Sequence, residues 1–155
     1  MSKPNTVIPF FQTEVTIFGA ANSLADMLSV IREKEFSQFP IYEGNTFRGL
    51  ITEHGITNWM AKHVDEDIIQ FSDTRLYDIL PHIGEVGNYQ FIGRNESIYI
   101  AEEKFKESIK QGTRLDAILI THSGKSNEKL LGIITTWDII NIPKKATRLE
   151  RKLIT

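Results

Sequence analysis

Apolar residues fall along this chain in two rhythms, strand-like and helical, and both rhythms return in the same order a second time. Leu24, Met27, Leu28 and Ile31 stand at helical spacing. Asn22 or Ser23 ahead of them offers a side-chain oxygen to the unpaired amides of a first turn, so a helix is expected from Leu24 to Lys34. Before it, Thr13–Phe18 alternates as a short strand would, and Gly19 ends it. After it, Phe39–Tyr42 reads as a strand with Pro40 near its start, where a missing amide does least harm. Glu43-Gly44-Asn45 forms a hairpin turn, Phe47–Ile51 the return strand, and Thr52 the cap of a helix carrying Ile56, Trp59, Met60 and His63. The second pass has a strand at Tyr89–Ile92, a turn at Gly93-Arg94-Asn95 and a helix through Ile98, Ala101, Phe105 and Ile109. Ala117–Ile120 is wholly apolar and is expected to be buried on both faces. His122–Glu128 is a polar hairpin loop, Leu130–Ile134 the return strand, and Thr135 caps the last helix.

The most informative stretch is the junction at the end of each pass. Gly132-Ile133-Ile134-Thr135-Thr136-Trp137-Asp138-Ile139-Ile140 matches Gly49-Leu50-Ile51-Thr52-Glu53-His54-Gly55-Ile56-Thr57. Glycine, two aliphatics and threonine recur in register, while Gly55 stands where the later copy has Asp138. Threonine at N-cap with an acid three residues on is a capping box, which satisfies two backbone donors without any ligand. The same residues also suit a nucleotide. A helix start and a hydroxyl favour phosphate, and a carboxylate, which only accepts, matches the vicinal hydroxyls of ribose. For an isolated junction capping is the simpler reading, and at Thr52, with Gly55 in place of the acid three residues on, it is the favoured one.

These patterns divide the chain into a lead-in over 1–12, a repeat over 13–64, a connector over 65–88, a repeat over 89–142 and a basic tail over 143–155. The lead-in is read as irregular and as laying Phe10 and Phe11 on a core. The connector holds Ile68, Ile69, Leu76, Ile79 and Leu80, ends at Pro81, and becomes loop-like at Gly84 and Gly87. The tail, with Lys144, Lys145, Arg148, Arg151 and Lys152, reads as a helix. Trp59 and Trp137 are expected to pack inside.

Composition narrows the classes. The chain has 155 residues, 41% apolar and 25% charged, ordinary values for a folded globular protein. A net charge of −2 argues against a nucleic-acid or membrane-surface partner. Cysteine is absent, which excludes disulfides and thiolate chemistry and fits a reducing compartment. No segment has the apolar length of a bilayer span or a signal peptide, so a cytoplasmic location is expected. His54, His63, His82 and His122 lack metal-ligand spacing, and no nucleophile, base and orienter come together, so neither a metal nor catalysis is expected. Ser123-Gly124-Lys125-Ser126 lacks the glycine spacing and following helix of a phosphate loop.

The doubled order and its two Gly-aliphatic-Ile-Thr junctions resemble a tandem pair of CBS domains, a Bateman module, standing alone. Phe36-Ser37-Gln38-Phe39-Pro40-Ile41 resembles the family's second strand, although Leu119 replaces the proline in the second repeat. Leu76-Tyr77-Asp78-Ile79-Leu80 resembles its segment leading into a repeat, and Gly132–Ile140 its signature junction. The resemblance implies an α+β fold of two β-α-β-β-α repeats packed with pseudo-twofold symmetry through their sheets. It implies two clefts for adenosine-containing ligands and a regulatory rather than catalytic role. In one cleft it places Asp138 on ribose, Thr135 on phosphate or ribose, Ile133 beside the base, and Thr16, Phe36, Ser37 and Gln38 around it. The second, weaker cleft takes Thr52, Gln90 and Leu115-Asp116-Ala117, with His54 and Arg114 as candidates for phosphate. No cofactor is required. AMP, ADP or ATP is the expected regulatory ligand, with S-adenosylmethionine, NAD or cyclic di-AMP as alternatives. A homodimer and an unidentified regulated protein are the expected partners, with no nucleic acid and no membrane. The competing reading is a ligand-free scaffold that dimerises or docks a partner through the exposed faces of the helices around Trp59 and Trp137, or through the tail from Lys144. Apart from the resemblance, Phe36 is as readily core as base platform, Asp116 reads as a surface acid, and Arg94 and Arg114 read as solvated.

Overall fold

The computed structural model describes residues 6–11, 15–34, 36–82 and 88–141. In chain order the elements are α1 (Val7–Phe10), β1 (Phe18–Gly19), α2 (Leu24–Lys34), β2 (Gln38–Glu43), β3 (Thr46–Thr52), α3 (Glu53–Lys62) and α4 (Leu76–Ile79), followed by a 3-10 turn at Leu80–His82. Then come β4 (Tyr89–Gly93), α5 (Ile98–Gln111), β5 (Ala117–Thr121), β6 (Gly132–Thr135) and α6 (Thr136–Ile140). The fold is mixed α+β with two three-stranded sheets, β1-β2-β3 and β4-β5-β6. The chain separates into two compact units. One is continuous, residues 16–86; the other is discontinuous, joining 1–15 to 87–155.

In the continuous unit β1 runs parallel to β2 and β3 antiparallel to it. Strand β1 has two residues where Thr13–Phe18 was expected, pairing only with Ile41 and Tyr42. One position back, β2 carries Pro40, which has no amide for a ladder bond. The other sheet has Leu119 there, and β4 pairs with every residue from Ala117 to Thr121. Thr13 and Glu14 lie outside the described residues. Helix α2 spans the expected residues. The Ser23 hydroxyl accepts from the Asp26 amide (3.1 Å), while Asn22 Oδ1 accepts from the Gly19 amide (2.6 Å) and braces the strand end. Leu24, Met27, Phe39, Ile41, Ile51, Ile56 and Trp59 form the core, joined by Leu76 and Ile79 from the connector. The connector segment, which resembles one leading into a repeat, closes this core, with the Leu76 amide donating to the Asn22 carbonyl (3.0 Å). Met60, placed on the apolar face of its helix, is exposed.

The core of the discontinuous unit is Ile92, Ile98, Ala101, Phe105, Leu115, Ile118, Ile120 and Ile134, together with Val7 and Phe11 of the lead-in. Ile8 in α1 is extended (φ −103°, ψ 129°), as a residue before proline prefers, so the described part of the lead-in, residues 6–11, is not a regular helix. Phe11 is buried as anticipated, whereas the Phe10 ring lies outside the described residues. Helix α5 starts at the Ser97 cap and stops at Gly112, whose φ of 69° favours glycine. Ile109 is 75% exposed against expectation. The buried stripe runs through Ala101 and Phe105 to Ser108, whose hydroxyl donates to the Thr113 carbonyl (2.8 Å). Strand β5 is buried throughout, as its composition implied. The basic tail, Gly84 and Gly87 lie outside the described residues. No described helix is long and apolar enough to cross a membrane.

The polar loop between β5 and β6 is built on one carboxylate. Glu128 accepts from the amides of Ser123 (2.9 Å) and Lys125 (3.0 Å) and from the hydroxyls of Ser123 (2.9 Å) and Thr121 (3.2 Å). The two amides foremost, then the hydroxyls, hold its carboxyl down to about 2 from the usual 4.5. A carboxyl lowered on folding stabilises the native state above its unfolded value and loses that contribution as pH falls through its folded value. Urea midpoints measured across pH should therefore fall between about 4.5 and about 2 and be flatter over that window in Glu128→Gln.

Candidate functional site

Strand β6 places Ala117 opposite Thr135 and Leu119 opposite Ile133. Ile134 enters the core, so alternation puts half-buried Ile133 and Thr135 on the other face of the sheet. Thr135, extended at φ −112° and ψ 171°, is the N-cap of α6. Asp138 Oδ2 accepts from the Thr135 amide (2.9 Å) and from its hydroxyl (3.1 Å). The capping box expected from the sequence is thus formed, and it fixes a half-buried carboxylate directly beside a threonine. Helix α6 has five residues, so its dipole contributes little and the site's chemistry rests on these two side chains. Trp137 does not pack inside. It is 72% exposed and Ile140 66%, because the inward side of this short helix is taken by Ile139 against the core. Trp59 is buried as expected.

The matching junction between β3 and α3 is tighter. Thr52 is buried, and its hydroxyl accepts from the Gly55 amide (3.0 Å), so its side-chain oxygen serves the helix. Register sets Gln38 opposite Thr52, and the Ser37 carbonyl accepts from the Glu53 amide (3.2 Å). The sheet therefore brings Ser37, Gln38 and Thr52 together. Phe36, just ahead, is 45% exposed, which leaves its ring face open rather than in the core. Thr16 is half-buried two residues ahead of β1, not on the strand as expected.

Asp116 is not an open surface acid. Its side chain is 13% exposed, paired with Arg114 (2.8 Å) and accepting from Asn88 Nδ2 (3.3 Å). Arg114 is solvated as expected, with 58% of its side chain exposed and its Nε donating to Asp116; Arg94 is exposed. Ala117 is buried beside Thr135, and Gln90 is exposed on β4. His54 Nε2 lies 3.0 Å from the side-chain Nδ2 of Asn58 on α3. Ile133, Thr135, Asp138, Gln90, Asp116 and Ala117 thus stand in the discontinuous unit, and Thr16, Phe36, Ser37, Gln38 and Thr52 in the continuous one.

The sequence reading missed an open groove of about 590 Å³ in the continuous unit, lined by Trp59, His63, Ile68, Asp73, Asp78 and His82 among others. The His63 ring stacks on Trp59 (4.7 Å between centroids) and meets His82 edge-on (5.5 Å). The one hint in the sequence was His63 at helical spacing from Trp59. None of the expected ligand residues lines this groove. Among the described residues no group of three or more His, Cys, Asp or Glu is placed to hold a metal ion.

No family model and no curated protein matches the sequence, but solved structures do. The Vibrio cholerae protein AcuB superposes with a TM-score of 0.66 at 13% identity, over 95% of this chain and 96% of its own. The CBS domain pair of protein MJ0100, solved with 5′-methylthioadenosine and S-adenosyl-L-methionine, gives 0.63 at 14% identity, over 92% and 98%. CBSX2, solved in complex with AMP, gives 0.63 at 14%, also over 92% and 98%. The chain therefore has the fold of a CBS-domain pair.

Thr135→Ala should cost about 1 kcal/mol of stability through loss of the cap, whereas Trp137→Ser should stay within about 0.5 kcal/mol because its ring is exposed. Urea unfolding of the two variants checks both values.

Proposed function

We propose that the chain is a regulatory module that binds an adenosine-containing nucleotide, with AMP, ADP or ATP foremost, and passes its occupancy to a partner protein. The observation that carries this reading is the Thr135–Asp138 pair on a CBS-pair fold. The AMP of CBSX2 and the S-adenosylmethionine of MJ0100 support the ligand class. Asp138 takes the ribose hydroxyls. A carboxylate offers about four acceptor positions, so capping and ribose recognition coexist on one side chain. Thr135 meets phosphate or ribose, Ile133 lies along the base, and Thr16, Phe36, Ser37 and Gln38 surround it. The exposed ring of Phe36 suits stacking on adenine. The Thr52 site, grouped with Gln90, Asp116 and Ala117, is weak, empty or selective for another adenosyl ligand. It lacks a carboxylate at Gly55, and its threonine oxygen already caps α3. No catalytic step is assigned. The ligand acts by binding two arrangements of the protein with different affinity.

A second reading is favoured by Trp137 and Ile140, two large apolar side chains left in solvent on α6. They suit the association of two copies, or the docking of a partner, with no nucleotide involved.

Thermal shift with AMP, ADP, ATP, S-adenosylmethionine, NAD and cyclic di-AMP separates the readings. A ligand at about 100 times its Kd adds about 2.7 kcal/mol, a rise of roughly 5–11 °C in a domain of this size. The expected result is a selective shift that disappears in Asp138→Asn. If no compound shifts the parent, the nucleotide reading falls, and the second reading then requires a dimer that Trp137→Glu dissociates in sedimentation.

A further inference from the structure

The lead-in does for the discontinuous unit what the connector does for the continuous one. Thr6 bridges Ser97 as Arg75 bridges Ser23. The Val7 amide donates to the Glu96 carbonyl (2.8 Å) as that of Leu76 donates to the Asn22 carbonyl (3.0 Å). Phe11 meets Gly132 as Leu80 meets Gly49. These last two contacts differ in kind. Leu80 reaches Gly49 with the flexible tip of its side chain, 3.1 Å from where a Cβ would stand. Phe11 presents its main chain: a Cβ on Gly132 would run into the Phe11 carbonyl oxygen. Gly132 is glycine because the lead-in backbone is seated on it.

That seat adjoins the candidate site. Gly132 opens the strand that ends at Thr135. Val7 and Phe11 are buried in the same cluster as Ile134, and both Ile8 and Ile139 pack against that cluster. The lead-in thus bears on the strand before the Thr135–Asp138 pair and on the core that anchors the helix after it. Helix α6, at five residues, is too short to hold its own conformation and depends on such packing.

We propose that Thr6–Phe11 is a positioning segment for the Thr135–Asp138 site. It holds β6 and α6 in the geometry that presents the carboxylate, and its seating sets the site's ligand affinity. The affinity clause rests on the function proposed above; the positioning clause does not.

Amide hydrogen exchange on the full chain, without ligand, tests the positioning directly. Ile8→Ala thins the packing, and Gly132→Ala lifts the lead-in from β6. In both, the amides of Thr135 and Asn141 should exchange about tenfold faster, while those of Phe91 and Leu119 keep the parent's rates. Acceleration confined to residues 6–11, or equal across the whole unit, overturns the inference. Should Gly132→Ala fail to fold, Ile8→Ala still decides. Titration with the nucleotide panel forms the second arm. Any compound the parent binds should bind Ile8→Ala about tenfold more weakly, and undiminished affinity overturns the affinity clause. A parent that binds none of them overturns the proposed function, and the exchange pattern then decides the positioning clause alone.

Discussion

A three-stranded sheet with two helices has too little apolar surface of its own to close a core. Each unit of this chain meets that constraint by recruiting a short apolar segment from outside its strand-and-helix run. Leu76 and Ile79 enter one core, Val7 and Phe11 the other. Both segments attach by backbone hydrogen bonds just ahead of a capped helix and then cross a glycine. The Gly-aliphatic-Ile-Thr run is therefore a mixture of two requirements. Its glycine makes room for the recruited segment, and its threonine starts a helix.

The two junctions show how one local design diverges in chemistry. At Thr52 the hydroxyl is buried and accepts from the Gly55 amide, and the residue at that position brings no side chain. At Thr135 the hydroxyl is half-buried and donates to Asp138. Substituting aspartate for glycine turns the helix start from a backbone that satisfies itself into one that holds a charge near the surface. Capping and ligand recognition are not rival explanations of Asp138, since the box is what keeps the carboxylate still.

Elements whose cause is local were legible in the sequence. Helix α2 was placed correctly because its apolar period and its cap occur within a dozen residues of each other. Strand β5 was readable because an unbroken apolar run has few other uses. The departures have longer-range causes. The shortness of β1 is set by Pro40 on a neighbouring strand. Ile109 and Trp137 lie on helical apolar spacing, yet α5 buries Ser108, and α6 packs Ile139, half-buried, on the side that faces the core. The connector's apolar residues were recognised, but the unit they would join was not, because periodicity records that a face is covered without recording by what. For the site, Thr135, Asp138 and Thr52 were found through their capping chemistry. The pairing of Asp116 with Arg114 and Asn88 had no signature beyond two nearby charges.

The seating of Phe11 on Gly132 also bears on how the molecule is made. A chain emerging from the ribosome releases residues 16–86 before 87–155, and they contain every element of the continuous unit. The other core cannot close at that stage. Val7 and Phe11 have already been synthesised, but β6, the strand they pack against, has not. At about 5–20 residues per second, the wait from the end of the continuous unit to Gly132 lasts a few seconds. Throughout it an apolar stretch remains tethered beside a folded neighbour with nowhere to go. The order in which the two cores form is thus written into the topology, with the unit that carries the carboxylate completed last.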